Sequence, residues 1–172
     1  MSLKYAYRKA RKIVDGLPPE GRKRVKAVAE EIREAENGLL RSGADLMARC
    51  VRGCQGLCCR NIQEESLIHL WDFVYILTVK QEMGDRIAAH LVKEDSLFPS
   101  DCIFLQNGVG PCIFPPDVRP ERCLTAFCFD VDPIGKEIRR VKIAFHKLAW
   151  TVQSVRLKAF FHSAAARLRR TR

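Results

Sequence analysis

Residues 20–41 read EGRKRVKAVAEEIREAENGLLR. Val25, Val28, Ile32, Ala35 and Leu39 recur at spacings of three and four, which sets them on one stripe of a helix while charges of both signs fill the other positions. Such a stripe must be covered, and the same period returns along most of the chain. Upstream, Leu3, Tyr7, Ala10 and Val14 predict a helix over 3–14, ended by Gly16 and the Pro18-Pro19 pair. Downstream, Ser42-Gly43 interrupts the pattern, and residues 44–51 read as a further short helix that delivers Cys50.

The strongly apolar run LIHLWDFVYILTV (67–79) is opened by Gln63 or Ser66 and is expected to continue as a helix to about Lys80. Leu67, Leu70, Val74 and Leu77 form its stripe, with Ile68, Trp71 and Tyr75 beside it, as suits the central core helix. Residues 83–93 read as another helix. From Gly135 to about Arg169 the spacing predicts one long helix or two nearly continuous ones, about 50 Å if unbroken. Its heptad-like seam is Ile138, Val141, Phe145, Leu148, Val152, Val155 and Ala159, and Trp150, Phe160 and Phe161 are expected to widen the buried face. The expected fold is mainly α: a single domain over 1–172, a helical scaffold with a cysteine-rich irregular loop region at 50–128 and room for a small β-hairpin, and a basic helical segment at 135–172.

With 172 residues the chain is long enough for one core that needs no covalent staples. Its composition, 47% hydrophobic and 29% charged, excludes a disordered chain. No apolar run approaches the roughly 20 residues of a bilayer crossing. No apolar stretch follows the basic residues near the N-terminus, so a cytoplasmic protein without membrane association is expected. The net charge of +10 is unevenly placed. Residues 135–172 hold eleven Lys and Arg against Glu137, residues 1–26 hold nine against two acids, and residues 27–134 are net acidic.

Eight cysteines fall in two groups: Cys50, Cys54, Cys58 and Cys59 within CVRGCQGLCC (50–59), and Cys102, Cys112, Cys123 and Cys128 in one later window. In a reducing compartment such clusters point to metal ligation more than to disulfides, and adjacent Cys58 and Cys59 agree, since neighbours seldom reach disulfide geometry. Disulfides and inert core thiols are the alternatives. Cys50, Cys54 and Cys58 would share a face of an unbroken helix, but Gly53 and Gly56 argue for a tight turn instead. CIFL (102–105) and CIF (112–114) flank QNGVGP, which suits a hairpin turning at Asn107-Gly108.

The first choice of ligands is Cys54, Cys58, Cys112 and Cys123. Cys50, Cys59, Cys102 and Cys128 are then left for a second site or a larger cluster. All-sulfur ligation suits zinc or an iron-sulfur cluster. Arg119 is read either as a donor to a sulfur or as a turn residue before Pro120, while His69 and His90 read as packed, hydrogen-bonded histidines before they read as ligands. No Ser-His-Asp order, phosphate loop or HExxH motif supports hydrolytic or nucleotide chemistry, and no reaction is assigned.

Together, CQGLCC with Cys54, Cys58 and Cys59, the CIFL start at Cys102, Cys112-Ile-Phe, and Arg119-Pro120-Glu121-Arg122-Cys123 resemble the YkgJ-like cysteine-cluster family. The resemblance covers residues 50–128. It implies a zinc- or iron-chelating domain, and through one branch of that family a redox or methyl-transfer component related to flagellin lysine N-methylase. This chain departs from the pattern in having Leu124 after Cys123 and an additional Cys128. From the residues alone a different function also stands, a nucleic-acid-binding module with structural zinc and a basic C-terminal helix on phosphates. Expected partners are therefore a metal ion and, through that helix, nucleic acid, with the oligomeric state open.

Overall fold

A computed structural model describes residues 2–54, 59, 67–92, 102–106, 111–126 and 131–170, with side chains in the third and last helices described to residues 49 and 161. Of these residues 79% are helical and none forms a strand, so the chain is mainly α.

Among the described residues seven α-helices follow one another: α1 (Leu3–Asp15), α2 (Pro19–Ser42), α3 (Ala44–Cys54), α4 (Leu70–Val79), α5 (Met83–Leu91), α6 (Glu121–Thr125) and α7 (Gly135–Arg170). Local chemistry sets their ends. Ser2 Oγ accepts the Tyr5 N–H at 3.3 Å at the start of α1. Pro19 occupies the first turn of α2, where its missing N–H costs nothing, and the Gly43 N–H closes that helix on the Leu39 carbonyl at 2.8 Å.

Helices α2 and α7 form the long wall of the scaffold and run antiparallel. A side chain at Gly21 would collide with Val155, the Lys147 ammonium pairs with Glu31 at 2.6 Å, and Gly43 lies near Ile134. Val25, Val28, Ile32, Ala35 and Leu39 are all buried, as are Ile138, Val141, Phe145, Leu148, Val152 and Val155. Both expected stripes therefore meet. Ala159 does not join its seam; it is exposed, along with every residue from 156 to 161. Residues 159–161 lie past the start of α2 and are exposed.

The apolar helix α4 sits between this wall and α1. Phe73 meets Tyr7 edge-on at 5.6 Å between ring centroids, and Tyr75 meets Phe145 at 5.4 Å. Tyr7 also donates its hydroxyl to the Gly84 carbonyl at 2.7 Å, tying α1 to the start of α5. The expected α4 needs two corrections. It begins at Leu70, so Leu67, Ile68 and His69 precede it, and its deepest residues are Phe73, Val74, Tyr75 and Ile76 rather than the stripe through Leu67 and Leu70. Neighbours press on it from several sides, so burial is not confined to one stripe.

Two further expectations fail on α3 and α7. No turn interrupts α3 at Gly53, since the helix runs through that residue to Cys54, while Gly56, the other glycine at which a turn is expected, lies outside the described residues. Trp150, Phe160 and Phe161 do not widen the buried face but lie in solvent, at 73%, 64% and 61% exposure. No helix among the described residues is long and apolar enough to cross a membrane.

Candidate metal centre

Cys102 and Cys112 are placed by two short pieces of backbone that α4 and α5 hold in position. Leu105 and Cys112 form an isolated antiparallel bridge, supported by the Ile113 N–H on the Phe104 carbonyl at 2.9 Å and the Gln106 N–H on the Pro111 carbonyl at 3.0 Å. The turn anticipated at Asn107-Gly108 lies outside the described residues. Phe104 and Phe114 stack tilted at 4.9 Å, and Phe104 also meets Phe73 at 6.4 Å. The paired arms are thus pinned to the core by their aromatic residues, which leaves Cys102 and Cys112 half-buried at its edge.

His90 secures the same arm. Its Nδ1 donates to the Ile103 carbonyl at 2.6 Å, because a carbonyl can only accept, and its ring lies against Phe104. This is the packed, hydrogen-bonded role expected of it. His69 behaves otherwise: it is exposed and forms the N-cap of α4.

Among the described residues a backbone contact joins the two cysteine-bearing segments. The Cys102 N–H donates to the Cys59 carbonyl at 2.8 Å.

Cys123 is carried by α6, a helix missed in the sequence because five residues are too few to show a period. It is anchored through Asp72, a carboxylate inside the apolar run of α4. Asp72 Oδ2 accepts the His69 N–H at 2.6 Å and Oδ1 accepts the Glu121 N–H at 2.7 Å, so one side chain caps both α4 and α6. Burial nevertheless pushes its pKa up to about 7, the two N–H donors opposing the rise.

The thiols are electrostatically coupled. Burial pushes Cys112 up, opposed by the Phe114 N–H on its sulfur and by the Arg119 guanidinium. Cys123 is pushed up more strongly, by desolvation first and then by Asp72, Cys112 and Cys102, with Arg119 again opposing. Part of Cys123 faces solvent, which tempers the desolvation contribution, but repulsion from neighbouring anions remains. Negative charge on the Cys102 or Cys112 sulfur therefore opposes charge on Cys123. A cation among them would reverse that balance.

Beneath this edge lies a second buried acid that sequence reading also missed. Glu36, fully buried on α2, accepts the Tyr75 hydroxyl at 2.8 Å and faces the Arg119 N–H, yet desolvation raises its pKa to about 9. It is neutral at pH 7. Its Oε1 and the Nε of Arg119 are both buried without a hydrogen-bond partner among the described residues. The available signal was compositional: Glu36 directly follows Ala35 of the stripe, and Asp72 is the lone charge within LIHLWDFVYILTV.

The eight candidate ligands are thus placed unequally. Among the described residues Cys59, Cys102, Cys112 and Cys123 form no disulfide, and Cys50 and Cys54 occupy positions one turn apart on α3. Cys58 and Cys128 lie outside the described residues. Among the described residues, no group of three Cys, His, Asp or Glu side chains is close enough to hold an ion. No family model matches the sequence, and no characterised protein or solved structure matches it.

Proposed function

We propose that the protein binds zinc or an iron-sulfur cluster through thiolates from both cysteine segments, with Cys54, Cys58, Cys112 and Cys123 as the first set and Cys50, Cys59, Cys102 and Cys128 as a second. The observation that carries this reading is the Cys102 N–H on the Cys59 carbonyl, which brings the early segment against the later one. The motif resemblance to cysteine-cluster domains supports it independently.

The donor set fits such a group. Soft thiolates select zinc or iron-sulfur, and the N–H of Phe114 directed at Cys112 stabilises a ligating sulfur. Arg119 offsets negative charge at both Cys112 and Cys123. Asp72 fixes the start of α6 and so the placement of Cys123. Bound zinc with four sulfurs would hold the loops together, whereas an iron-sulfur cluster would supply one-electron transfer.

Anaerobic purification followed by metal and sulfide analysis tests the reading. A brown protein with iron and sulfide identifies a cluster, and colourless protein with stoichiometric zinc identifies a structural site. Cys112→Ser and Cys123→Ser should each lower the metal content; retention of full metal by both variants refutes the proposal.

A further inference from the structure

The basic ends of the sequence, more than a hundred residues apart, converge at one end of the scaffold. The alignment of Gly21 with Val155 sets the start of α2 beside the second half of α7, and α1 returns along the same end. Arg22 closes the corner by donating to the Val14 and Asp15 carbonyls at 3.5 and 3.4 Å. Gly43 and Ile134 mark the opposite end of α2, where α3 begins.

Between α1 and α7 lies an open groove of about 650 Å³, lined by Tyr5, Arg8, Lys9, Lys12 and Arg156 together with Ile13 and Gly16. Four cations line it, no acid does, and among the described residues none of the four is paired with a carboxylate. Tyr5 is 57% exposed, with the Lys9 ammonium 5.9 Å above its ring. On the side of α7 turned away from its buried seam, well round the helix from Arg156, Ile143, Trp150 and Leu157 recur every seventh residue, and Phe161 follows four later, giving a line of exposed apolar side chains. Basic residues interleave it: Lys142, Lys147, Arg156 and Lys158, followed in sequence by Arg167, Arg169 and Arg170.

We infer that this pole binds single-stranded nucleic acid, with Arg8, Lys9, Lys12 and Arg156 on backbone phosphates, Tyr5 as the stacking surface in the groove and Trp150 as a second one met where the strand passes round α7. Cations that track a backbone, interleaved with exposed rings, are what a single strand requires, because every base offers a π-face. A second copy of the chain would set one basic surface against another. An anionic membrane favours a broad apolar face, but the exposed apolar residues of α7 form a narrow line, and residues 156–161 are exposed all round. This inference is independent of the metal centre.

The test uses the full-length protein and fluorescein-labelled oligo(dT) of twelve nucleotides, read by anisotropy at 50 mM salt. Four neutralised phosphates predict a log–log salt slope of about −2.8, a roughly 50-fold loss of affinity between 50 and 200 mM. Combined Arg8→Glu, Lys12→Glu and Arg156→Glu should weaken binding at least tenfold with helicity unchanged. Trp150→Ala should cost about fivefold or more, whereas Trp150→Phe keeps the affinity but loses the quenching of indole emission seen with the natural residue. If the triple variant unfolds, the salt slope and the Trp150 pair decide alone. No binding at 50 mM salt overturns the inference. So does equal competition by inorganic polyphosphate or polyglutamate with no effect of Trp150→Ala, or binding only to phosphatidylserine vesicles.

Discussion

Replacing Glu36 by glutamine should flatten the alkaline side of the protein's stability profile. The Glu36 carboxyl is fully buried and its pKa rises from 4.5 to about 9 on folding. A group whose folded pKa is raised contributes stability that is fully present below its unfolded pKa and is lost as pH rises towards the folded value. The loss has a slope of about 1.4 kcal/mol per pH unit. Asp72, raised to about 7 from 3.8, acts in the same direction but is spent by neutrality. Comparison with Glu36→Gln cancels the contributions of Asp72 and the thiols, and between pH 7 and 9 the wild type should lose about 2 kcal/mol relative to that variant, the slope easing as the pH reaches the folded value. Glutamine keeps an oxygen for the Tyr75 hydroxyl and carries no charge. Urea unfolding of both proteins at pH 7, 8 and 9 measures the difference. Two curves that stay parallel within about 0.5 kcal/mol would show that Glu36 does not take up a proton on folding, and the account of the buried network would fail.

Gly21→Ala should destabilise the scaffold by about 1–3 kcal/mol, because the added methyl meets the stiff, buried Val155 side chain, and Val155→Ala in the same chain should recover part of the loss in a denaturant melt. Leu148→Ala empties a fully buried position between α2 and α7 and should cost about 2–5 kcal/mol by the same assay. Asp72→Ala removes the acceptor for the His69 and Glu121 N–H groups; a loss of about 1–3 kcal/mol is expected, together with faster amide exchange at Glu121 than at Ala126. In metal-free protein at pH 7.5, Cys112 and Cys123 should alkylate more slowly than glutathione despite the exposure of Cys123, because both are held as thiols. Rates equal to glutathione would contradict the raised values.

The helices could be read from sequence because their stripes follow one period and their ends carry Gly or Pro. Val25 through Leu39 and Ile138 through Val155 were legible on those grounds alone. α7 nevertheless carries two apolar repeats, and periodicity cannot say which of them meets a partner; the denser 3-4 alternation was buried, leaving Trp150 outside. For Glu36 and Asp72 the sequence carries only a compositional hint, because the burial of an acid depends on donors distant in sequence, the Tyr75 hydroxyl and the Glu121 N–H. α6 escaped notice because its start depends on Asp72, 49 residues earlier, rather than on a pattern of its own. At the cysteines, spacing identified candidate thiols, and the Cys59–Cys102 backbone contact was beyond its reach.

The antiparallel wall of α2 and α7 has a consequence for biosynthesis. Lys147 and Glu31 meet across 116 residues of sequence. The apolar stripe of α2 therefore leaves the ribosome long before its covering partner exists, and a nascent chain must keep Val25, Val28 and Ile32 sheltered in some provisional way. Arrested translation upstream of Val141 would release a polypeptide with half of its wall absent, a natural client for chaperones and proteases.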